Sequence, residues 1–409
     1  MRVLLVHPLM FLLSSALLTI ALILLVPIGT LFVECLAALL PARPLPEPSS
    51  SPATIKTAVL IPAHNEAAGI LPVLKSLLPQ LTEHDRLVVV ADNCTDDTAA
   101  IARSTGATVI ERRNLDQRGK GYALDYGVNY LAADPPDVIT IVDADCLVQP
   151  GTLSQIAKLA ITKQQPVQAL YLMEQPAAPK PRDAVSAFAF KMKNLVRPRG
   201  LNRFGFPCLL TGTGMAFPWA VLRSVKLASG NIVEDMQLGI DLAIAGRPVY
   251  FCETASVRGM LPQQDKASSS QRTRWEHGHL QTLLTQVPAL LKRAVVEERL
   301  DLGVMALDLA VPPLSLLVMF WLVAIVLACI AALLTGIWLP VLLLAIDGSL
   351  LLTATLLAWA KFCRSDLPAR TLLAIPLYML WKIPLYLKFL VRPETKWVRT
   401  ERDINTSKT

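Results

Sequence analysis

The sequence predicts an α/β domain, a mostly parallel sheet with helices on both faces, carried by transmembrane and interfacial helices. Three observations lead there. Apolar residues make up 53% of the 409 positions and crowd the two ends, while the middle has the mixed composition of a soluble domain. Within that middle, short apolar runs alternate with helical stretches, the rhythm of strands joined by crossover helices. Acidic motifs fall at the ends of the predicted strands, where open parallel sheets bind their ligands.

The first element is an uncharged apolar run over residues 9–33. It exceeds the ~20 residues that a helix needs to cross a bilayer. It is too long for the apolar region of a secretory signal, and its basic flank is Arg2 alone, so residues 1–40 are read as an uncleaved anchor. Residues 41–54 are rich in proline and serine and form a linker. The soluble domain then occupies 55–279. KTAVLIP (56–62), RLVVVAD (86–92), residues 107–111 and VITIVD (138–143) read as buried strands. Helices are expected over 66–78, 97–105 and 120–131.

Residues 280–304 carry Leu280, Leu284, Val287, Leu291 and Val295 at helical spacing, with Lys292, Arg293 and Glu297 towards the end. That is the pattern of an amphipathic helix lying in the membrane interface, and a stripe packed on the soluble core would read the same. Apolar segments at 310–334 and 339–360 make a transmembrane hairpin within 305–362. Lys361, Arg364 and Arg370 follow it and place that end in the cytosol. The final unit, 363–409, is expected to be an interfacial or re-entrant segment with a basic cytosolic tail. Its apolar part, 371–391, contains Pro376, Pro384, Lys382 and Lys388, and lysines at mid-depth are costly in a bilayer. One crossing before the soluble domain and two after it leave domain and tail on one side.

The formal net charge is +7. No basic arm with interleaved aromatics is present, which sets nucleic acid aside, and the basic residues flank apolar segments as membrane-surface residues do. The seven cysteines are scattered and form no Cys-x-x-Cys, against a disulfide framework and against a zinc site.

Six motifs carry the chemistry. IPAHNE (61–66) follows the first strand, so Asn65 and Glu66 sit in a polar loop suited to a nucleotide; a plain turn before a helix explains the segment equally well. ADNCTDDT (91–98) places Asp92 at a strand end, where a carboxylate accepts hydrogen bonds from a base or ribose; Thr95 and Asp96 read better as helix caps. In QRGKGYA (117–123), two glycines flank Lys120 ahead of a helix, which suits a phosphate as well as an ordinary turn. Asp143 and Asp145 end a buried strand. Two carboxylates that close are costly unless a cation compensates them, and a hard divalent ion is the natural partner. Glu234 and Asp235 precede a helix, where a carboxylate serves as a base or simply favours the helix N-terminus. In QRTRW (271–275), Gln271, Arg274 and Trp275 share one helical face, offering a diphosphate contact and an aromatic surface for a sugar. His277 and His279 read as structural.

Taken together and in this order, IPAHNE, ADNCTDDT, DAD, VED and QRTRW, flanked by apolar ends, resemble the membrane glycosyltransferases of family 2. That group includes cellulose, chitin, hyaluronan and poly-N-acetylglucosamine synthases and ceramide glucosyltransferase. The resemblance implies a GT-A fold and an inverting, Mg²⁺- or Mn²⁺-assisted transfer of a hexose. The donor would be a UDP-sugar of the UDP-glucose or UDP-N-acetylglucosamine class, and the acceptor a polysaccharide or, alternatively, a membrane lipid. It implies nucleotide-sugar contacts from Asn65, Glu66, Asp92, Lys120 and Asp143, metal ligation by Asp145 with Asp143, and catalysis by Asp235 with Glu234. Gln271, Arg274 and Trp275 would hold diphosphate and acceptor. The domain would face the cytosol, where nucleotide sugars are made. Val233 stands where many polymer synthases have threonine, and the apolar segments are too few for a wide polymer channel. A non-catalytic sensor of nucleotide sugars is the remaining reading. The enzyme reading requires the carboxylates between positions 92 and 235 to converge.

Overall fold

The computed structural model describes residues 2–41, 54–176, 180–261 and 265–392. Most of the expected linker (42–53) and the basic tail from 393 onward lie outside the described residues. An eight-stranded sheet forms the centre of the soluble domain, built from β1 (Thr57–Ala63), β2 (Arg86–Asp92), β3 (Thr108–Arg112), β4 (Val138–Ile141), β5 (Leu147–Val148), β6 (Val167–Glu174), β7 (Met215–Pro218) and β8 (Tyr250–Met260). Their order across the sheet is β3-β2-β1-β4-β7-β6-β8-β5. The first four strands are parallel, as the alternation of strands and helices predicts. From β4 onward the sheet is mixed. β7 runs antiparallel to β4 and β6, β8 is parallel to β6, and β5 is antiparallel to β8.

Side-chain alternation along β1 explains the layering. Val59 and Ile61 face one core with Ile70, Leu74 and Leu77, while Ala58 and Leu60 face the other with Leu124, Val128 and Leu131. Both faces are therefore covered, which is why these strands read as continuous apolar runs. Gly127 makes the second contact close: a Cβ there would lie 2.5 Å from Leu60 Cδ1. Two boundaries differ from the sequence expectation. The helix expected from residue 66 starts at Ile70, because residues 66–69 close a turn in which the Gly69 and Ile70 amides both donate to the Glu66 carbonyl. β4 ends at Ile141, so the DAD motif lies in the loop beyond the strand.

Among the described residues, four helices are long and apolar enough to cross a membrane: Met10–Ala38, Leu314–Thr335, Leu339–Cys363 and Ala369–Val391. They share one apolar cluster in which Leu24, Ile28 and Leu31 meet Leu317, Ala324, Leu344, Ala354 and Tyr378. Their outward faces leave large side chains such as Phe11, Leu333 and Leu352 exposed. Contiguous apolar surface of that kind suits lipid.

The QRTRW motif and the expected amphipathic helix form one continuous helix, Asp265–Val296, so the expected boundary at 279/280 falls within it. One side of its apolar stripe, with Leu290 and Val287, packs on Ile240, Met305 and Leu309. The other side leaves Leu284 63% and Val295 80% exposed, so the helix is both docked on the domain and apolar outward. The segment expected to be interfacial or re-entrant contains the helix Ile375–Val391. Its length would allow a crossing, yet its centre is docked on the long helix. Lys382 pairs with Glu276, and His277 Nε2 donates to the Leu385 carbonyl at 3.0 Å. The pairing removes the cost of burying the lysine alone.

Candidate active site

β4 and β7 are antiparallel neighbours, with Ile141 opposite Met215. The loop after one strand therefore meets the loop before the other. The Asp143 amide donates to Thr213 Oγ1 at 3.1 Å, which brings the acidic loop against Gly212. Lys120 starts the helix Lys120–Leu131, and its ammonium donates to the Gly212 carbonyl at 2.6 Å and pairs with Asp143. Asp235 lies in the first turn of the helix Glu234–Ile244. A Cβ added at Gly212 would sit 3.3 Å from Asp235 Oδ2, 3.6 Å from Lys120 Nζ and 3.8 Å from Asp143 Oδ2. Three residues spread over the chain from position 120 to position 235 thus meet around one glycine.

Two more glycines make this approach workable. Gly119 has φ +130°, a conformation open to few side chains, and a Cβ at Gly121 would lie 2.6 Å from the Leu227 carbonyl. The segment leading into the Glu234 helix can therefore lie directly on the Lys120 turn. Gly212 itself has φ +93°. A Gly212→Ala variant is expected to strain the backbone by about 1–3 kcal/mol. It should also displace the lysine and carboxylates, lowering turnover by more than tenfold; near-normal kcat in the purified variant would show that the three groups need not meet here.

The electrostatics follow from burial. Burial pulls the Lys120 ammonium down, but Asp143, Glu234 and Asp235 outweigh it and its pKa is raised overall. Asp143 lines the cavity, and burial together with Asp145 holds its carboxyl above the usual range despite Lys120. Burial raises Glu234 to about 7, opposed by Lys120 and helped by Asp235. Glu234, expected to act with Asp235, lies 4.0 Å from Lys120 and is not among the residues lining the cavity. It supports the lysine from behind.

The cavity has a volume of about 650 Å³. Glu66, Asp92, Lys120, Asp143, Asp145 and Asp235 line one part of it, and Gln271, Arg274 and Trp275 line another. The Arg274 Nε is buried with no hydrogen-bond partner among the described residues. Trp275 packs on Phe190, with ring centroids 5.8 Å apart. Asp92 receives Arg112 Nη1 at 2.7 Å and Asn93 Nδ2 at 3.1 Å, both on Oδ1, which leaves Oδ2 free of those bonds. Asn65 departs from expectation. It lies outside the cavity wall in a left-handed turn, φ 54°, and its amide bridges to the Thr95 hydroxyl and backbone. It ties two loops together, and a short polar side chain able to adopt φ > 0 is what that turn needs.

The oxygen pair suits a hard divalent ion. Asp143, Asp145 and Cys146 each offer an atom within 4.8 Å of the others. Burial and the two carboxylates push the Cys146 thiol far up, so it stays protonated, donating to Asp145 Oδ1 at 3.3 Å. Carboxylate oxygens alone remain as ligands, which matches Mg²⁺ or Mn²⁺ better than a thiophilic metal. His277 and His279 are structural, as read from sequence: His279 Nε2 donates to the Leu309 carbonyl at 3.2 Å, and burial with Lys193 and Arg197 lowers its pKa to about 3.

Sequence reasoning missed several cavity residues. Lys193, Asn194 and Arg197 come from the π-helical turn Met192–Val196 and the helix after it. The only sequence trace is a pair of lysines, Lys191 and Lys193, inside an otherwise apolar stretch. Pro312, Pro313 and Tyr378 are contributed by the membrane helices and their connections, which no local motif marks.

Comparisons with known proteins agree with this geometry. A family model described as "Glycosyltransferase like family 2" matches residues 52–278. Among curated proteins, the chain is 27% identical over 199 residues to a 4,4'-diaponeurosporenoate glycosyltransferase of Staphylococcus haemolyticus, covering 46% of this chain and 51% of that one. It is 38% identical over 90 residues to the protein of the same name from Staphylococcus aureus, covering 21% and 23%. The chain thus spans about half the length, or less, of the curated relatives it matches. Among solved structures, a mannosyltransferase from Pyrobaculum calidifontis, in complex with GDP-Man and Mn²⁺, superposes with a TM-score of 0.56 at 20% identity, over 92% of this chain and 100% of that one. That likeness extends the GT-A fold through the membrane helices. The family match takes in more than half of the chain, from ahead of β1 through the QRTRW helix, and the chain belongs to glycosyltransferase-like family 2.

Proposed function

We propose that this protein transfers a hexose from a nucleotide diphosphate sugar to an acceptor carried by a membrane lipid, at the cytosolic face of the plasma membrane. One observation carries the reading. The cavity that holds Asp143, Asp145 and Asp235 is also lined by residues of the membrane helices, Leu31, Leu314 and Tyr378. A cavity of this size falls in the ~300–1,000 Å³ usual for small-molecule sites, room for one donor and the head of one acceptor. Of the two acceptors that the resemblance implies, polysaccharide and lipid, the apolar wall favours the lipid. The curated relatives are likewise named for a 4,4'-diaponeurosporenoate acceptor and not for a glycan.

In this reading the nucleotide lies towards Asp92 and Glu66. The diphosphate lies by Lys120, with Arg274 able to fill its open hydrogen bonds. Asp145 and Asp143 would hold Mg²⁺ or Mn²⁺, which supplies positive charge for the leaving diphosphate when bound. Asp235 accepts the proton of the acceptor hydroxyl as its oxygen attacks the anomeric carbon from the far side. The bond from that carbon to the diphosphate breaks, and the electron pair leaves with the nucleotide. Trp275 offers its ring to the sugar. The convergence of Asp235 on Lys120 counts against a mere sensor, which has no use for a placed base.

The test is a screen of radiolabelled UDP-glucose, UDP-N-acetylglucosamine and GDP-mannose with native membranes, followed by mass spectrometry of the products. One added sugar on a solvent-extractable lipid is expected. A ladder of sugars on an insoluble product would restore the polysaccharide reading, and no nucleotide release with any donor would return the sensor.

A further inference from the structure

The cavity holds a cation that the chemistry above does not use. Lys193 lies in the π-helical turn Met192–Val196 and lines the cavity, within electrostatic reach of Asp235, Arg197 and Asp308. Among the described residues it has no ion pair within 4.0 Å and no hydrogen bond. The groups that face it are already committed. Arg197 is held by Glu34 and Asp308, and His279 is neutral and donates to a carbonyl. Burial lowers the lysine's pKa, with Asp235 opposing it. Next to it, Asn194 Oδ1 is buried without a partner among the described residues, and Asn194 also lines the cavity.

Buried polar atoms nearly always have partners, and a half-buried ammonium on a cavity wall is open to an anion. A half-buried cation and a fully buried acceptor, adjacent on one cavity wall and both without a partner among the described residues, mark the place of a ligand. The local backbone allows it: Met192, Lys193 and Asn194 all line the cavity, three consecutive residues on one side, which the wider π turn permits; such turns recur at functional sites. The position selects the ligand. Asp143, Asp145 and Lys120 mark the donor diphosphate. The charges that act on Lys193 are those of Asp235, Arg197 and Asp308 and not of that group, and its neighbour Met192 packs with Leu31 and Val311, on the side assigned above to the acceptor.

We propose that Lys193, with Asn194 beside it, forms an anion subsite that binds a carboxylate or phosphate on the head of the lipid acceptor and so positions that head beside Asp235. This rests on the lipid-acceptor reading above and deepens it. The ammonium pairs with the anionic oxygens, and the Asn194 carbonyl oxygen accepts from a hydroxyl of the head. Neutral lipid alcohols would leave the lysine unpaired and are disfavoured.

The experiment uses the full chain in nanodiscs of zwitterionic lipid. Binding of radiolabelled retinoic acid, retinol, farnesyl phosphate and farnesol is measured with UDP present, and inorganic phosphate is tested as a competitor. Wild type is expected to bind one of the two anionic lipids at least tenfold more tightly than its alcohol. Lys193→Met should abolish that preference, and Lys193→Arg should keep most of it. Removing an unpaired, half-buried charge does not endanger folding, and UDP binding by each variant serves as the control. Equal binding of acid and alcohol, a preference surviving in Lys193→Met, or binding of none of the four lipids would overturn the proposal. Inorganic phosphate competing as strongly as farnesyl phosphate would show an anion site with no role for lipid, and also overturn it. A wild type that binds the anionic lipid but never UDP would instead sink the transferase reading.

Discussion

Asp235→Asn is expected to bind donor normally and to transfer almost nothing. The carboxylate sits in the first turn of its helix, within contact range of the Gly212 position that also touches Lys120 and Asp143. Asparagine keeps the shape at that point but cannot take a proton. Loss of a positioned base lowers rate by about a hundred- to ten-thousand-fold. The neighbouring Glu234→Gln is the informative control. Glu234 acts on the site only through Lys120, so its loss should fall mainly on donor affinity and be smaller. Turnover and nucleotide affinity are measured separately on purified protein. If Asp235→Asn retains kcat, or if Glu234→Gln costs more, the base has been assigned to the wrong carboxylate.

The contrast between those two residues shows what the sequence could and could not say. Glu234 and Asp235 are adjacent and chemically alike, and a linear reading gives them one role. Helical geometry separates them by about 100°, so one faces the cavity and the other faces the back of Lys120. The first half of the sheet was legible because its strands are buried on both faces and therefore apolar throughout. That Asp92, Asp143 and Asp145 line one cavity was legible because parallel sheets open a crevice beyond their strand ends. Asn65 misled because a polar residue in a loop after a strand looks the same whether it meets a ligand or a second loop. β6, β7 and β8 carry no motif. Their pairing depends on partners far along the chain, as does the placing of Lys193. The docking of the last helix was only half legible. Lys382 in an apolar segment signalled something other than a plain span, but its partner Glu276 lies 106 positions away.

Arg197→Met is expected to be the most destabilising single change away from the sheet. The arginine joins three parts of the molecule at one point. Its Nε donates to Glu34 on the N-terminal helix at 3.0 Å, and its Nη2 donates to Asp308 Oδ1 at 2.5 Å and to the Asp308 carbonyl. The side chains are 8%, 4% and 7% exposed for Arg197, Glu34 and Asp308, so water cannot take over for a lost partner. Gly200, one turn on, lets the Glu34 backbone lie directly against this helix. Removing the cation leaves two buried carboxylates facing each other, a loss of about 3–5 kcal/mol for a broken buried pair. The cost lies in the stranded charges more than in the lost attraction, so Arg197→Met combined with Glu34→Gln and Asp308→Asn should recover most of it. Denaturation of the detergent-solubilised protein reads both. Should the triple variant be as unstable as the single one, the arginine contributes through packing and not through charge. Should Arg197→Met unfold like wild type, the carboxylates take up protons or water once it is gone, and the anchor between membrane helix and catalytic domain lies elsewhere. Because Arg197 follows the π turn by one residue, a loosened anchor would also move Lys193, and acceptor binding should weaken in the single variant before donor binding does.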